Sequence, residues 1–243
     1  MGFDTSSILD IVTSGDLAWE GLKAREEELF QNLGTRCLVL GNGDDDVEYV
    51  ESTGCVLADV EQADFILARG SFVVVDSKGV QRYAPNIMEG SGGTRVKGIL
   101  EEARQRGIPM LVTNPDFLRP GTNDPMPGLI GQDYQEAGGR TEMVGKPYSL
   151  VYHKCLEVLK MDQESQEAKS RVCAVGDSLS HDILGALDAK MSSVFITSGV
   201  HSQEFGVEQG SAEMPNPLLL SSLFCTHLKG GATPTHSTPC FRW

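Results

Sequence analysis

Short apolar runs alternate along this chain with longer amphipathic stretches. Arg36 to Leu40, Ala63 to Ala68, Met110 to Thr113, Val172 to Val175 and Val194 to Thr197 are runs of the length that makes buried strands. Val73 to Val75 adds a further strand candidate, and Ile11-Val12 looks like a strand end. Between the runs, apolar residues recur at helical spacing. Leu17, Ala18, Leu22, Leu29 and Leu33 predict one helix, capped by Ser14 or Asp16 and stopped by Gly34. Further helices are expected over 94–106, 129–137 and 218–228, with a short one over 202–210. Val151, Cys155, Val158 and Leu159 mark another, with Ser149 as its cap. The tail from Pro234 reads as extended, pinned by Phe241 and Trp243 if at all. Gly90-Ser-Gly92-Gly93 does not complete a dinucleotide fingerprint and reads as a turn. Strand followed by helix, several times over, argues an α/β fold with a mostly parallel sheet.

Length and composition narrow the class. The 243 residues allow one large domain or two smaller ones. A hydrophobic share of 40% and a charged share of 22% are ordinary for a soluble globular protein. The net charge of −14 opposes nucleic acid and anionic lipid as partners. No apolar run is long enough to span a membrane, and the first residues lack a secretory signal. The six cysteines form no C-x-x-C pair and no zinc spacing, so they read as mostly reduced, partly buried thiols of a cytoplasmic protein. Met1-Gly2 with Ser6 matches a myristoylation pattern that arises often by chance.

The chemistry concentrates in Arg171 to Ala186. Here an apolar run stops at Gly176, Asp177 and Ser178 follow, and Asp182 comes just before Ile183, Leu184, Ala186 and Leu187 at helical spacing. Ligands of open α/β sheets bind at the carboxyl edge, where this stretch puts two carboxylates suited to Mg²⁺ shared with a phosphate. The plainer reading is a helix capped by Ser178, Ser180 or Asp182. Lys146, between Gly145 and Pro147, is placed to present a fixed positive charge or is simply a lysine in a turn. Asp44-Asp45-Asp46 reads as the acidic first turn of a helix rather than a metal cluster.

Gly145-Lys146-Pro147 followed by Val175-Gly-Asp-Ser-Leu-Ser-His-Asp-Ile183 resembles motifs III and IV of the haloacid dehalogenase (HAD) superfamily, and more narrowly its class IIA hydrolases and phosphatases. Val12 to Gly15, Val112 to Asp116 and Val194 to Val200 resemble flanking segments of that class, so the likeness runs from about residue 3 to residue 200. It implies an incomplete Rossmann-like HAD core with an inserted α/β cap of the C2 type. Residues 1–14 would be a core remnant, 15–108 the cap and 109–243 the core with its tail. It also implies Mg²⁺ as cofactor and a small phosphorylated metabolite as substrate. Lys146 would be the catalytic lysine, Asp177 a Mg²⁺ ligand and Asp182 the second acid of the metal site. Asn114, Asp116 and Ser178 would lie near the substrate. Caps of this class often pair subunits, so self-association through the cap as a homodimer is the mode to expect.

One part of the family's machinery has no match. Its chemistry starts from an Asp nucleophile in an apolar strand ending Asp-x-Asp-Gly, with the second Asp as general acid and base. Asp44-Asp45-Asp46 follows Gly-Asn-Gly and precedes Val47-Glu48, so it does not qualify. Motif II is missing as well. The chain thus reads as an N-terminally truncated member, expected to be inactive as given. The alternatives are a non-catalytic HAD-like protein that binds a phosphometabolite or a protein partner, and an interaction module that uses the cap surface.

Overall fold

The computed structural model describes residues 5–119 and 122–241. Met1-Gly2 and Trp243 lie outside the described residues. The chain divides into two compact units, Thr13–Gly145 and a second made of Met1–Val12 with Lys146–Trp243.

The Thr13–Gly145 unit is built on one sheet. Helices α1 (Ser14–Ala24) and α2 (Glu28–Gln31) precede strand β1 (Arg36–Gly41), and α3 (Asp46–Ser52) precedes β2 (Val56–Leu57) and β3 (Phe65–Ala68). A hairpin, β4 (Val73–Asp76) and β5 (Gly79–Arg82), leads to α4 (Gly90–Gln105), β6 (Met110–Val112), α5 (Pro127–Glu136) and β7 (Thr141–Met143). The strand order is β5-β4-β1-β3-β6-β7, with β2 also on β1. Pairing is parallel from β1 through β7 and antiparallel at β4 and β5. Cys37–Leu40, Phe65–Ala68 and Met110–Val112 are entirely buried, as the uninterrupted apolar runs of a parallel sheet require. Leu38, Leu40, Ile66 and Met110 pack with Val96 and Ile99 of α4 and with Ile130 and Tyr134 of α5. Because β6 bonds to β3, residues 109–145 share the sheet and the unit of 15–108, and no break in the sheet coincides with 108/109.

Several local expectations change for identifiable reasons. The helix expected from Ser14 to Gly34 breaks at Arg25, which adopts a left-handed conformation. The Arg25 guanidinium donates to the carbonyls of Leu22 (2.6 Å), Phe30 (3.0 Å) and Leu33 (2.5 Å), so one side chain fixes the corner between two helices. The N-cap of α1 is Thr13, not Ser14 or Asp16: its Oγ1 accepts the Asp16 amide at 3.1 Å. Thr13→Ala should lower the unfolding free energy by about 1 kcal/mol, read by urea denaturation. A loss below roughly 0.3 kcal/mol would mean that the cap is not used.

The glycine-rich segment at 90–93 forms the first turn of α4 rather than a free turn. A Cβ on Gly92 or Gly93 would crowd the backbone of residues 86–88, so close approach of two backbones explains the glycines. No described strand includes Ile11-Val12, and Ile11 is exposed.

In the other unit, a 3₁₀ turn at Thr5–Ser7 stands apart in sequence from α6 (Ser149–Val158), α7 (Gln166–Ser170) and β8 (Cys173–Gly176). A π-helical turn (Leu179–Ile183) runs into α8 (Leu184–Asp188), followed by β9 (Ser192–Ile196), α9 (Ser202–Phe205), α10 (Pro217–His227) and β10 (His236–Thr238). Three parallel strands stand in the order β10-β9-β8. Leu179, Ile183, Phe195, Phe205, Leu220 and Leu223 form the core. Here β8 is an edge strand, which leaves Cys173 exposed and Val175 42% exposed where its apolar run predicts burial. Ser149 is the first residue of α6 and makes no cap. The tail is held by the pairing of β10 with β9, while Phe241 is exposed. All six cysteines are free thiols.

Candidate functional site

The acid loop begins where β8 ends. The amides of Asp182 and Ile183 both donate to the Ser178 carbonyl, at 2.9 and 3.1 Å. That wide turn carries the Asp182 side chain back over the start of the loop. Its Oδ2 accepts the amides of Asp177 (3.1 Å) and Ser178 (3.0 Å), and its Oδ1 meets Lys146 Nζ at 2.5 Å. Asp182 is 8% exposed, whereas the Lys146 side chain is about half exposed. Asp182 therefore works as a clamp with three charge-assisted bonds. Ser178 occupies the N-cap position without a side-chain capping bond, and its Oγ pairs with His181 Nδ1 at 2.9 Å.

Asp177 is anchored differently. Its Oδ2 accepts the Val200 amide at 3.0 Å from the turn after β9. No hydrogen bond among the described residues reaches its Oδ1. An anchored carboxylate with one uncommitted oxygen matches the donor type that hard cations such as Mg²⁺ take.

Glycines make room for both acids. A Cβ on Gly176 would overlap the Asp182 carboxylate, and one on Gly199 would overlap that of Asp177. A Cβ on Gly185 would meet the Tyr152 hydroxyl, which donates toward the carbonyls of His181 (3.3 Å) and Asp182 (3.4 Å). Burial, with Asp182 nearby, pushes the Tyr152 phenol well above its ordinary pKa, so it stays a donor. Sequence reasoning missed Tyr152 and the spatial role of these glycines. The only signal was Gly176 immediately before Asp177.

The remaining predicted residues lie in the Thr13–Gly145 unit. Asn114 and Asp116 follow β6, where Asn114 Oδ1 accepts the Asp116 amide at 3.0 Å and closes a local turn. The acid triplet is held by arginines: Arg69 pairs with Asp46 at 2.6 Å and Asp45 at 3.1 Å, and Arg82 stands 3.9 Å from the exposed Asp44. The Arg69 guanidinium holds the Asp45 carboxyl below the usual carboxylate range. Asp46 opens α3 and accepts the Gly43 amide, as the acidic helix start requires.

Comparison with known proteins places these features. A family model described as HAD-hydrolase-like matches residues 143–219, which include Lys146 and the whole acid loop. An acid sugar phosphatase of Staphylococcus aureus (strain USA300) is 28% identical over 103 residues, or 41% of this chain and 38% of that protein. The match thus spans well under half the length of that relative. Among solved structures, a haloacid dehalogenase-like hydrolase from Brucella suis 1330 aligns over 93% of this chain and 70% of its own (TM-score 0.62, 20% identity). A p-nitrophenyl phosphatase from Archaeoglobus fulgidus aligns over the same shares (0.58, 18%). NagD from E. coli K-12 covers 94% of this chain and 70% of its own (0.57, 18%). At these identities the structural likeness speaks for the fold.

Proposed function

For a chain that belongs to the haloacid dehalogenase superfamily and has the fold of its class IIA phosphatases, we propose one half of a Mg²⁺-dependent phosphatase site for a small phosphorylated metabolite. The observation that carries this reading is the Asp182 clamp, which fixes Lys146 and the loop bearing Asp177 in a single network. Lys146 supplies fixed positive charge for phosphoryl oxygens. Asp177 would hold Mg²⁺ through Oδ1, and Asp182 orients the loop and the lysine from behind. Bound Mg²⁺ would neutralise charge on a phosphoryl group. Ser178 is assigned to substrate contact. We assign the protein to the cytoplasm; among the described residues no helix is long and apolar enough to cross a membrane.

The covalent route also needs a nucleophilic carboxylate, and no apolar strand in this sequence ends in Asp-x-Asp-Gly. The 243-residue chain by itself is therefore expected to release no phosphate from p-nitrophenyl phosphate with Mg²⁺ present. Magnesium-dependent release that disappears in Asp177→Asn would overturn this. The same gap favours a second reading, a binding protein for phosphometabolites. Its signature is a phosphorylated ligand that raises the melting temperature without turnover.

A further inference from the structure

A second cluster of ligating side chains lies beside the acid loop and plays no part in the proposed phosphatase site. His201, Glu204 and His227 each offer a donor atom, and these atoms lie within 4.8 Å of one another. His201 Nδ1 stands 2.5 Å from Glu204 Oε1, and His227 Nε2 stands 3.9 Å from Glu204 Oε2. The two imidazoles meet edge to face with centroids 4.9 Å apart. We propose that these three residues form a site for a zinc-class divalent cation, coupled through the His201 ring to the acid loop.

The donor set supports the class of ion. Two imidazole nitrogens and one carboxylate suit Zn²⁺ and its neighbours, whereas Mg²⁺ takes oxygen. A tetrahedral zinc ion needs donors roughly 3.4 Å apart; His227 and Glu204, 3.9 Å apart, stand near that spacing, and His201, now 2.5 Å from Glu204, would open from that hydrogen bond as the ion enters. Glu204 is half exposed, so the cluster opens to solvent on one side.

The coupling follows from proton placement on His201. The Leu179 amide donates to His201 Nε2 at 3.3 Å. A neutral ring that accepts at Nε2 carries its proton on Nδ1, where it donates to Glu204. For a cation to bind at Nδ1, the ring proton moves from Nδ1 to Nε2, which frees the Nδ1 lone pair for the ion. Nε2 would then carry a hydrogen and no longer accept from Leu179, two residues after Asp177. Cation binding thus exchanges two His201 hydrogen bonds, one to Glu204 and one from the Leu179 amide of the loop, for coordination of the ion.

Calorimetric titration of the full chain with Zn²⁺ in excess Mg²⁺ tests the site, since Mg²⁺ occupies oxygen-donor positions. One equivalent should bind, and Glu204→Gln and His227→Gln should each weaken binding about tenfold or more. Co²⁺ should give ligand-field bands without a thiolate charge-transfer band, which separates this site from the exposed Cys225 thiol, two residues before His227 in α10. ¹⁵N spectra should show His201 change from the Nδ1–H to the Nε2–H tautomer as Zn²⁺ is added. This last readout uses the unaltered chain, so it holds if a variant fails to fold. Absence of stoichiometric binding, unchanged affinity in both variants, a thiolate band, or a His201 ring that stays Nδ1–H with Zn²⁺ bound would each overturn the proposal. None of these outcomes depends on phosphatase activity.

Discussion

Asp182→Ala should destabilise the unit that carries the acid loop by about 3 kcal/mol. The substitution strips the acceptor from two backbone amides, Asp177 and Ser178, within a part-buried loop. Leaving a buried donor unsatisfied costs about 1–3 kcal/mol each. The Lys146 pairing adds little, because its side chain is about half exposed and solvent screens it. A loss of this size should lower the melting temperature by roughly 10 °C. Asp182→Asn keeps a carbonyl oxygen for the two amides and gives up only the charge, so it should cost about 1 kcal/mol. Denaturant melts of both variants check the ordering. Equal melting of the two would place the energy in charge rather than in amide satisfaction, against the clamp.

Gly176→Ala should cost about 2 kcal/mol, and the cost should depend on Asp182. The new methyl enters the space of the carboxylate, which three bonds hold in place. Either the carboxylate leaves and those bonds are lost, or the backbone of β8 shifts, with overpacking costs of about 1–3 kcal/mol. In an Asp182→Ala background the methyl meets vacated space and should be nearly neutral. The double-mutant cycle should therefore show a coupling of about 2 kcal/mol. Additive costs would mean that the glycine serves the β8 backbone rather than the acid.

Strands β1, β3, β4 and β6 were legible because they are short continuous apolar runs bounded by turn residues, whereas β5 and β7, with polar residues and partial exposure, left no such pattern. Lys146 and the Asp177–Asp182 loop were linked in the sequence only through their resemblance to two motifs of one family, since the lysine alone reads equally as a turn residue. Features that depend on a distant partner were not legible. Arg25 breaks its helix by reaching three carbonyls, and helical periodicity carries no trace of that. The exposure of Val175 follows from the edge position of β8, while a four-residue apolar run is the same at an edge or in the centre.

The sequence by itself determined the fold class, the order of most strands and helices, and the residues in which charge chemistry is concentrated. These are local properties, set by periodicity, turn residues and acid spacing. Tertiary structure alone decided that Asp182 serves as a clamp on Lys146 and two amides, while Asp177 keeps an oxygen uncommitted among the described residues. It also brought together His201, the N-cap of α9, Glu204 within α9 and His227 at the end of α10. The physical reason is one of range: hydrogen bonds and ligand geometry act over about 3 Å in space, and the chain brings their partners together only by folding.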